Sequence, residues 1–363
     1  MHKIRKKCLA ASLALLPWVG MAQTNGVWTL QNCIDYAVAH NVQLLKSVAA
    51  EQSASVDVAE AKAGLLPSLS GDLTQGVSYR PFQESGGNFV NGGIATSAAD
   101  KVTQNGSYGI NAQWVVWNGG KNRMSITNAQ YSQQLAAYDT QTQVNEVKEQ
   151  IAQLYVQILY MTEAEKVNRT LLSQDSIICE RGQQMVNVGS MSKADLAQLQ
   201  SQVSQGRYNV VNVRTQIDNA KMQLRQLMEL PADEAFDVQP VDATDVQVLN
   251  SIPSKDAIYS SALDSRPEIK RSQLAIEQSH LSTKIAKSGY MPTISLTGSI
   301  GDSHVTGSQT NWAKQMKNNF NGSLGVTVSI PIFDNRKNKS AVERAKVAET
   351  TAQLDLQDNA SSG

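Results

Sequence analysis

The chain changes its period in the same way twice. From Ser107 to Trp117 the residues alternate. Tyr108, Ile110, Ala112, Trp114 and Val116 fall on one side and Gly109, Asn111 and Gln113 on the other, with Val115 the exception. Period two is the strand period. Asn118, Gly119 and Gly120 break the strand, and a long polar, Ala/Gln-rich segment with helical spacing follows. The same order returns at Ser323–Lys339. There Leu324, Val326, Val328, Ile330 and Ile332 make the apolar side, and Gly325, Thr327 and Ser329 the small or polar side. At an offset of 216 positions Gly109 meets Gly325, Trp117 meets Phe333, Asn118 meets Asp334, Lys121 meets Lys337 and Asn122 meets Asn338.

The segments ahead of these strands also repeat. Residues 28–66 carry Ile34, Ala37, Val38, Leu44, Leu45, Val48 and Ala49 at helical spacing and close at Gly64-Leu65-Leu66-Pro67. At an offset of 225, Ala37 meets Ala262, Lys62 meets Lys287, Gly64 meets Gly289, Pro67 meets Pro292 and Ser70 meets Ser295. The unit is therefore helix–strand–loop–strand–helix, written twice, with a loop nine residues longer in the first copy. Each copy's first strand alternates too. Leu69, Leu73, Val77 and Tyr79 oppose Ser68, Ser70, Asp72, Thr74 and Ser78, and Ile294, Leu296 and Ile300 oppose Thr293, Ser295, Thr297 and Ser299.

Four strands with one aliphatic and one Ser/Thr face fit two environments. One is a half-buried soluble sheet; the other is a barrel with lipid outside and water inside. Alternation alone leaves both open. The loops 80–106 and 301–322 are long and rich in Gly, Asn and Ser, like the external loops of outer-membrane barrels. On the barrel reading Tyr108, Ile110, Trp114, Leu324, Val326 and Val328 face lipid. Asn111, Gln113, Ser295, Thr327 and Ser329 then face a water-filled lumen. Trp117 and Phe333 stand at matching strand ends, where aromatic belts sit.

Residues 121–230 read as a helix pair. Val144, Val147, Ile151, Leu154, Ile158 and Met161 step by three and four. After a break at Val188-Gly189-Ser190, the series Leu196, Leu199, Val203, Gly206, Val210, Val213, Ile217, Ala220, Leu224 and Leu227 keeps that step throughout. Only Gly206 is not properly apolar. Sustained heptads mean coiled-coil packing. A helix from Lys121 to Val188 would be about 100 Å long, at roughly 1.5 Å per residue, so its partners must be other long helices. Ser192 is placed to cap the second helix, with Asp195 three residues on closing a capping box. Residues 231–253 are acidic, contain Pro and lack a period, as a connector would.

Composition changes this picture in two places. Lys3, Arg5, Lys6 and Lys7, the apolar run Cys8–Val19 and the small-residue end Gly20-Met21-Ala22 make residues 1–22 a secretory signal peptide. Its removal takes four positive charges from a chain of zero formal charge and leaves 28 basic against 32 acidic residues. That balance gives no sign of nucleic-acid binding. Export permits a disulfide between the remaining Cys33 and Cys179, but nothing marks them as partners, and two small residues on helix faces is the preferred reading. No apolar run reaches the roughly 20 residues of a membrane-spanning helix.

The search for catalytic, cofactor or metal chemistry returns no candidate residues. His40, His280 and His304 lack metal-ligand spacing, and Gly119-Gly120-Lys121 lacks the rest of a phosphate loop. Ser190 and Lys193 match an S-x-x-K pattern without its companion motifs, so helix capping explains them better.

The repeats resemble the two halves of a TolC-like outer-membrane efflux factor. The resemblance rests on WTLQNCIDYAVAHN near the start, GLLPSLS and GYMPTIS before the first strands, WVVWNGGKNR and IPIFDNRKNK after the second strands, and VNVGSMSKADL at the helical turn. It covers Trp28 to about Asn359, and its weight lies in the order of the motifs and the duplication.

The resemblance implies a mainly α fold with a β-barrel part. Three protomers, each giving four strands, share one outer-membrane barrel, and long helices continue the pore as a periplasmic coiled-coil tunnel. It implies a homotrimer without cofactor or enzymatic activity, in contact with outer-membrane lipid, a periplasmic adaptor (membrane fusion) protein and an inner-membrane pump. Such a trimer is the exit duct of a tripartite efflux or type I secretion system. Gly189, Ser192 and Asp195 then mark the periplasmic tip, with Asp195 in the position of an aspartate that helps hold the closed state.

The expected organisation is residues 1–22 signal peptide, 23–230 first repeat, 231–253 connector and 254–363 second repeat. The first copy's helix pair occupies 109 residues and the second copy has 27, so the sequence reads as a fragment or a truncated product. The alternative from another class is an exported coiled-coil structural or adhesion protein with a soluble sheet and no channel.

Overall fold

Helix and strand alternate through the computed structural model, which describes residues 26–79, 81–82, 87–90, 93–96, 102–231, 234–240, 254, 261, 265–306 and 310–362. The signal peptide and most of the connector lie outside the described residues. The first repeat gives β1 (Val27–Trp28), α1 (Leu30–His40), α2 (Val42–Ala63) and β2 (Ser68–Tyr79). It continues with a small hairpin of β3 (Gly87–Val90) and β4 (Gly93–Thr96), then β5 (Val102–Trp117), α3 (Lys121–Asn187) and α4 (Lys193–Met228). After β6 (Asp237–Val238), the second repeat gives α5 (Pro267–Lys287), β7 (Thr293–Val305), α6 (Trp312–Asn319), β8 (Asn321–Ser329) and α7 (Lys337–Ser362). The fold is mainly helical with one four-stranded antiparallel sheet, in the order β2-β5-β7-β8.

Several elements depart from the pattern reading. The expected first helix is two, because Asn41 takes an extended conformation and its side chain donates to the Leu227 carbonyl at 2.8 Å. The loop of the first copy holds the β3–β4 hairpin and that of the second holds α6, so neither is wholly irregular. The strands also run further into both loops than the alternation indicated, from Val102 and out to Val305. At its other end β8 stops at Ser329, short of Ile332, because Pro331 has no N–H to give to a ladder. Part of the connector is ordered: β6 pairs in parallel with β1, Val27 opposite Asp237 and Trp28 opposite Val238.

The described residues fall into two compact units that cut across the sequence repeats, those within 1–42 and 144–250 and those within 43–143 and 251–363. In the first unit, Cys33 and Ala37 of α1 pack on Val147, Ile151, Tyr155 and Ile158 of α3 and on Ile217, Ala220, Leu224 and Met228 of α4. These are the three–four steps that a helix needs to present one apolar stripe. The Tyr155 hydroxyl sits between the carbonyls of Trp28 (3.2 Å) and Gln239 (3.1 Å) and ties the β1–β6 pair to that core. Both cysteines are free, and burial pushes the Cys33 thiol up to about 12.

In the second unit α7 runs beside α5. His280 Nδ1 lies 3.2 Å from Glu349, the Thr283 hydroxyl donates to the same carboxylate, and Asn359 donates to Ser272. Arg271 pairs with Asp139 on the first part of α3, and Gln278 donates to Ser132 at 2.8 Å.

The strand-to-helix corners repeat in atomic detail. Gly119 and Gly120 have φ of 67° and 80°, and their counterparts Asn335 and Arg336 have 50° and 68°. Two successive left-handed residues make each turn; the first copy uses glycine for them and the second does not. Asn118 Oδ1 accepts from the Asn122 N–H (3.1 Å), and Asp334 Oδ2 accepts from the Asn338 N–H (2.8 Å). The Asn122 side chain donates to the Gly64 carbonyl (3.4 Å), and that of Asn338 to the Gly289 carbonyl (2.7 Å). Each corner thereby holds the end of the preceding helix against the start of the next.

Candidate functional site

The ladder register sorts the strand residues by face, because directly opposed residues in an antiparallel pair share one. Leu73 opposes Tyr108, Ile110 opposes Ile300, Trp114 opposes Leu296, and Leu296 opposes Val326. Ile294 opposes Val328 and Gly298 opposes Leu324. Tyr108, Ile110, Trp114, Leu324, Val326 and Val328 therefore lie on one face. Asn111 opposes Ser70 and Ser299, Gln113 opposes Ser68 and Thr297, Ser295 opposes Thr327, and Thr293 opposes Ser329. These form the second face, which is polar across all four strands. Asn111 donates there to Asp72, and the Ser299 and Ser323 hydroxyls meet at 2.8 Å.

One position differs from the alternation. A bulge between Val115 and Trp117 places Trp117 opposite Ile294, so Trp117 takes the apolar-face position and Val116 is the inserted residue. The Trp114 indole donates to the Leu65 carbonyl at 2.8 Å and fixes the α2–β2 corner to β5.

The apolar face is uncovered. Leu324 is 84% exposed, Leu73 76% and Val326 66%. A soluble half-buried sheet covers such a face with a second layer. Here the aliphatic side chains stand in the open, and β2 and β8 end the sheet with no further strand beyond them among the described residues. The strands are 12, 16, 13 and 9 residues long. A tilted strand needs about 9–11 residues to cross a bilayer. Aromatic residues stand at both ends of the sheet: Trp114, Trp117 and Phe333 toward the helices, and Tyr79, Phe82, Trp312 and Phe320 toward the loops.

The second candidate region is the α3–α4 turn, where the structure brings Gly189, Ser192 and Asp195 together. Gly189 has φ 80°, its N–H donates to the Val186 carbonyl, and the Ser190 N–H reaches back to Met185 at 2.8 Å. That is a Schellman closure. The Ser192 Oγ accepts from the Asp195 N–H at 3.1 Å and donates to Asp195 Oδ2 at 2.8 Å. Asp195 therefore closes on the cap hydroxyl rather than on the cap N–H, and its carboxylate remains exposed beside the helix N-terminus. Below the turn, Leu199 packs where a Cβ of Gly182 would stand, and Leu172 lies 3.2 Å from the corresponding point at Gly206. The small residue that interrupts the α4 stripe is the hole for a leucine of α3.

Among the described residues no group of three or more His, Cys, Asp or Glu side chains could hold a metal ion, and no helix is long and apolar enough to cross a membrane.

Comparison with known proteins places this geometry. A family model for outer membrane efflux proteins matches residues 33–229 and 258–361. The chain is 26% identical over 341 residues to the outer membrane protein TolC of Escherichia coli (strain K12), covering 90% of this chain and 64% of that protein. It is 24% identical to the pyoverdine export outer membrane protein OpmQ of Pseudomonas aeruginosa, covering 88% and 64%. The chain thus spans just under two thirds of the length of these curated relatives. Among solved structures, the outer membrane protein VceC from Vibrio cholerae superposes with a TM-score of 0.74 at 16% identity, over 92% of this chain and 75% of that one. The Campylobacter jejuni CmeC outer membrane channel gives 0.74 at 18%, over 91% and 67%. These two share the fold described above.

Proposed function

The chain belongs to the outer membrane efflux protein family, and from that membership we propose that it is a protomer of a trimeric exit duct in the outer membrane. Members of this family are channels rather than enzymes. Three copies of the β2-β5-β7-β8 sheet would pair edge to edge into one barrel, with the aliphatic face in lipid and the Ser/Thr/Asn/Gln face lining water. α3 and α4 would continue that pore into the periplasm. Their turn would meet a periplasmic adaptor, itself bound to an inner-membrane pump. The duct is passive; energy and substrate choice belong to the pump.

The observation that carries this reading is the sheet with one uncovered apolar face, one polar face and two open edges. The long helices support it. Val156 and Val167 on α3, Val211 and Met222 on α4, and Val347 and Leu354 on α7 are exposed apolar residues, which further helices would cover. An adhesion or structural protein with a soluble sheet does not account for the bare aliphatic face.

At the tip, three copies of Asp195 would form an anionic ring that binds cations and helps hold the duct shut. Single-channel recording of the crosslinked trimer tests both levels of the proposal. A conducting pore whose divalent-cation block weakens in Asp195→Asn is expected. A pore with unchanged block leaves Asp195 as a cap residue only, and a trimer without conductance contradicts the duct.

A further inference from the structure

The two faces of the four-stranded sheet differ in charge as well as in polarity. Followed through the ladder register, the polar face holds Ser, Thr, Asn, Gln or Gly at almost every position, with Val115 and Val305 the aliphatic exceptions. No Lys, Arg or Glu occurs in the four strands. One charged side chain stands on the polar face, Asp72 of β2. The other acid and the histidine of these strands, Asp302 and His304, belong to the opposite face, because Asp302 opposes Tyr108 and His304 lies two residues further along β7.

Asp72 is exposed, and its surroundings leave its charge uncancelled. Asn111, on the neighbouring strand, donates to its Oδ2. That donor is neutral, and Asp72 is in no ion pair among the described residues. Its own cross-strand row runs Asp72, Gly109, Gly301, Asn321, so the two residues next to it bring no side chain. At Gly109 a Cβ would meet nothing closer than 3.8 Å, so crowding does not demand the glycine. The carboxylate stands beside an open strip of backbone on a face that is otherwise neutral.

We infer that Asp72 sets the ionic preference of the barrel, as a residue that favours cations over anions in the lumen. The inference rests on the proposed trimeric duct, and it gives the sheet a task separate from that of Asp195 at the helical turn. Three-fold symmetry repeats Asp72 three times at one height of the barrel. A wall of neutral polar groups contributes little net field, so a ring of like charges decides the sign of the potential in a water-filled channel. Charged solutes are then sorted within the membrane: cations are drawn in and anions held back.

The test uses the trimer of the full chain in a planar bilayer under a potassium chloride gradient and reads the reversal potential. The wild type should prefer potassium to chloride. Asp72→Asn should lower the potassium-to-chloride permeability ratio about threefold or more at low salt, Asp72→Lys should reverse the preference, and Asp72→Glu should keep it. Asn111→Ala removes the hydrogen bond and leaves the charge, so its ratio should match the wild type. An unchanged ratio in Asp72→Asn overturns the inference. So does a shift in Asn111→Ala as large as that in Asp72→Asn, since a structural role then explains both.

A second reading needs no current. Thr74 lies two residues along the same face. With Cys179 replaced by Ser and Thr74 by Cys, a cationic thiol reagent should react faster than an anionic one of similar size, and Asp72→Asn should level the two rates. Equal rates with Asp72 in place overturn the inference. A trimer that carries no current removes the duct and this inference with it; conduction with an unchanged ratio removes only the role of Asp72.

Discussion

Gly189 ends α3 in the left-handed region, and nothing stands within 4 Å of where its Cβ would be. Conformation, not space, therefore decides substitutions there. Gly189→Ala should lower stability by about 1 kcal/mol, and Gly189→Asn by less, since Asn tolerates that region. Urea midpoints of the two variants check the order; equal, neutral midpoints would contradict it.

Glu349 carries a pH-dependent contribution. The His280 hydrogen bond, opposed by desolvation and helped by Thr283 and Lys287, holds its carboxyl below the ordinary 4.5. A depressed folded pKa stabilises above the unfolded value and is lost as pH falls through the folded one. Glu349→Gln should therefore melt below the wild type at neutral pH, and the two should converge as acidification protonates the lowered carboxyl. A gap that persists in acid would place the effect in packing.

Much at this scale was legible in the sequence. The cap at Ser192 could be read because Ser, then a carboxylate three residues on, is a local code. The bulge at Val116 and the partnership of Asn111 with Asp72 could not, because both depend on which strand lies opposite.

At the scale of elements, the two repeat offsets recorded the architecture. Matching residues at 216 and 225 positions become matching corners, down to the Asn122 and Asn338 side chains on the carbonyls of Gly64 and Gly289. The left-handed pair in the second copy was hidden, since Asn335 and Arg336 do not announce the turn that Gly119 and Gly120 do. The split of the first helix at Asn41 was equally hidden, because its cause is a hydrogen bond to Leu227, distant in sequence. α6 went unread because its polar face contacts strand edges rather than a core, which leaves no apolar stripe to find.

The corners also give a prediction. Asn338→Ala removes a 2.7 Å donor from the Gly289 carbonyl and should cost about 1 kcal/mol. Asn122→Ala, with a 3.4 Å bond, should cost less, and the double variant should show the sum, since the two corners share no residue. Denaturation midpoints of the two singles and the double decide this; strong coupling would mean that the corners do not act independently.

For the whole molecule, the alternation in four strands and the steps in two long helices already divided the chain into sheet and coiled coil. They left the surroundings of the sheet undecided, because an aliphatic face reads the same under a helix layer as under lipid. The alternation does not report coverage; among the described residues no second layer lies on Leu73, Leu324 and Val326. The central claim is that this bare face meets lipid and the opposite face meets water.

The most direct measurement places single cysteines at Ile110, Leu324 and Val326 on one face and at Asn111 and Thr327 on the other, with Cys179 replaced by Ser and Cys33 left buried in its core. Protein in intact outer membranes is then treated with a water-soluble, membrane-impermeant thiol reagent. The account predicts that the cysteines at Asn111 and Thr327 react, and that those at Ile110, Leu324 and Val326 stay silent until detergent removes the lipid. Equal reaction at all five positions in the intact membrane would make the sheet an open soluble one. Reaction confined to the three apolar positions would turn the barrel inside out.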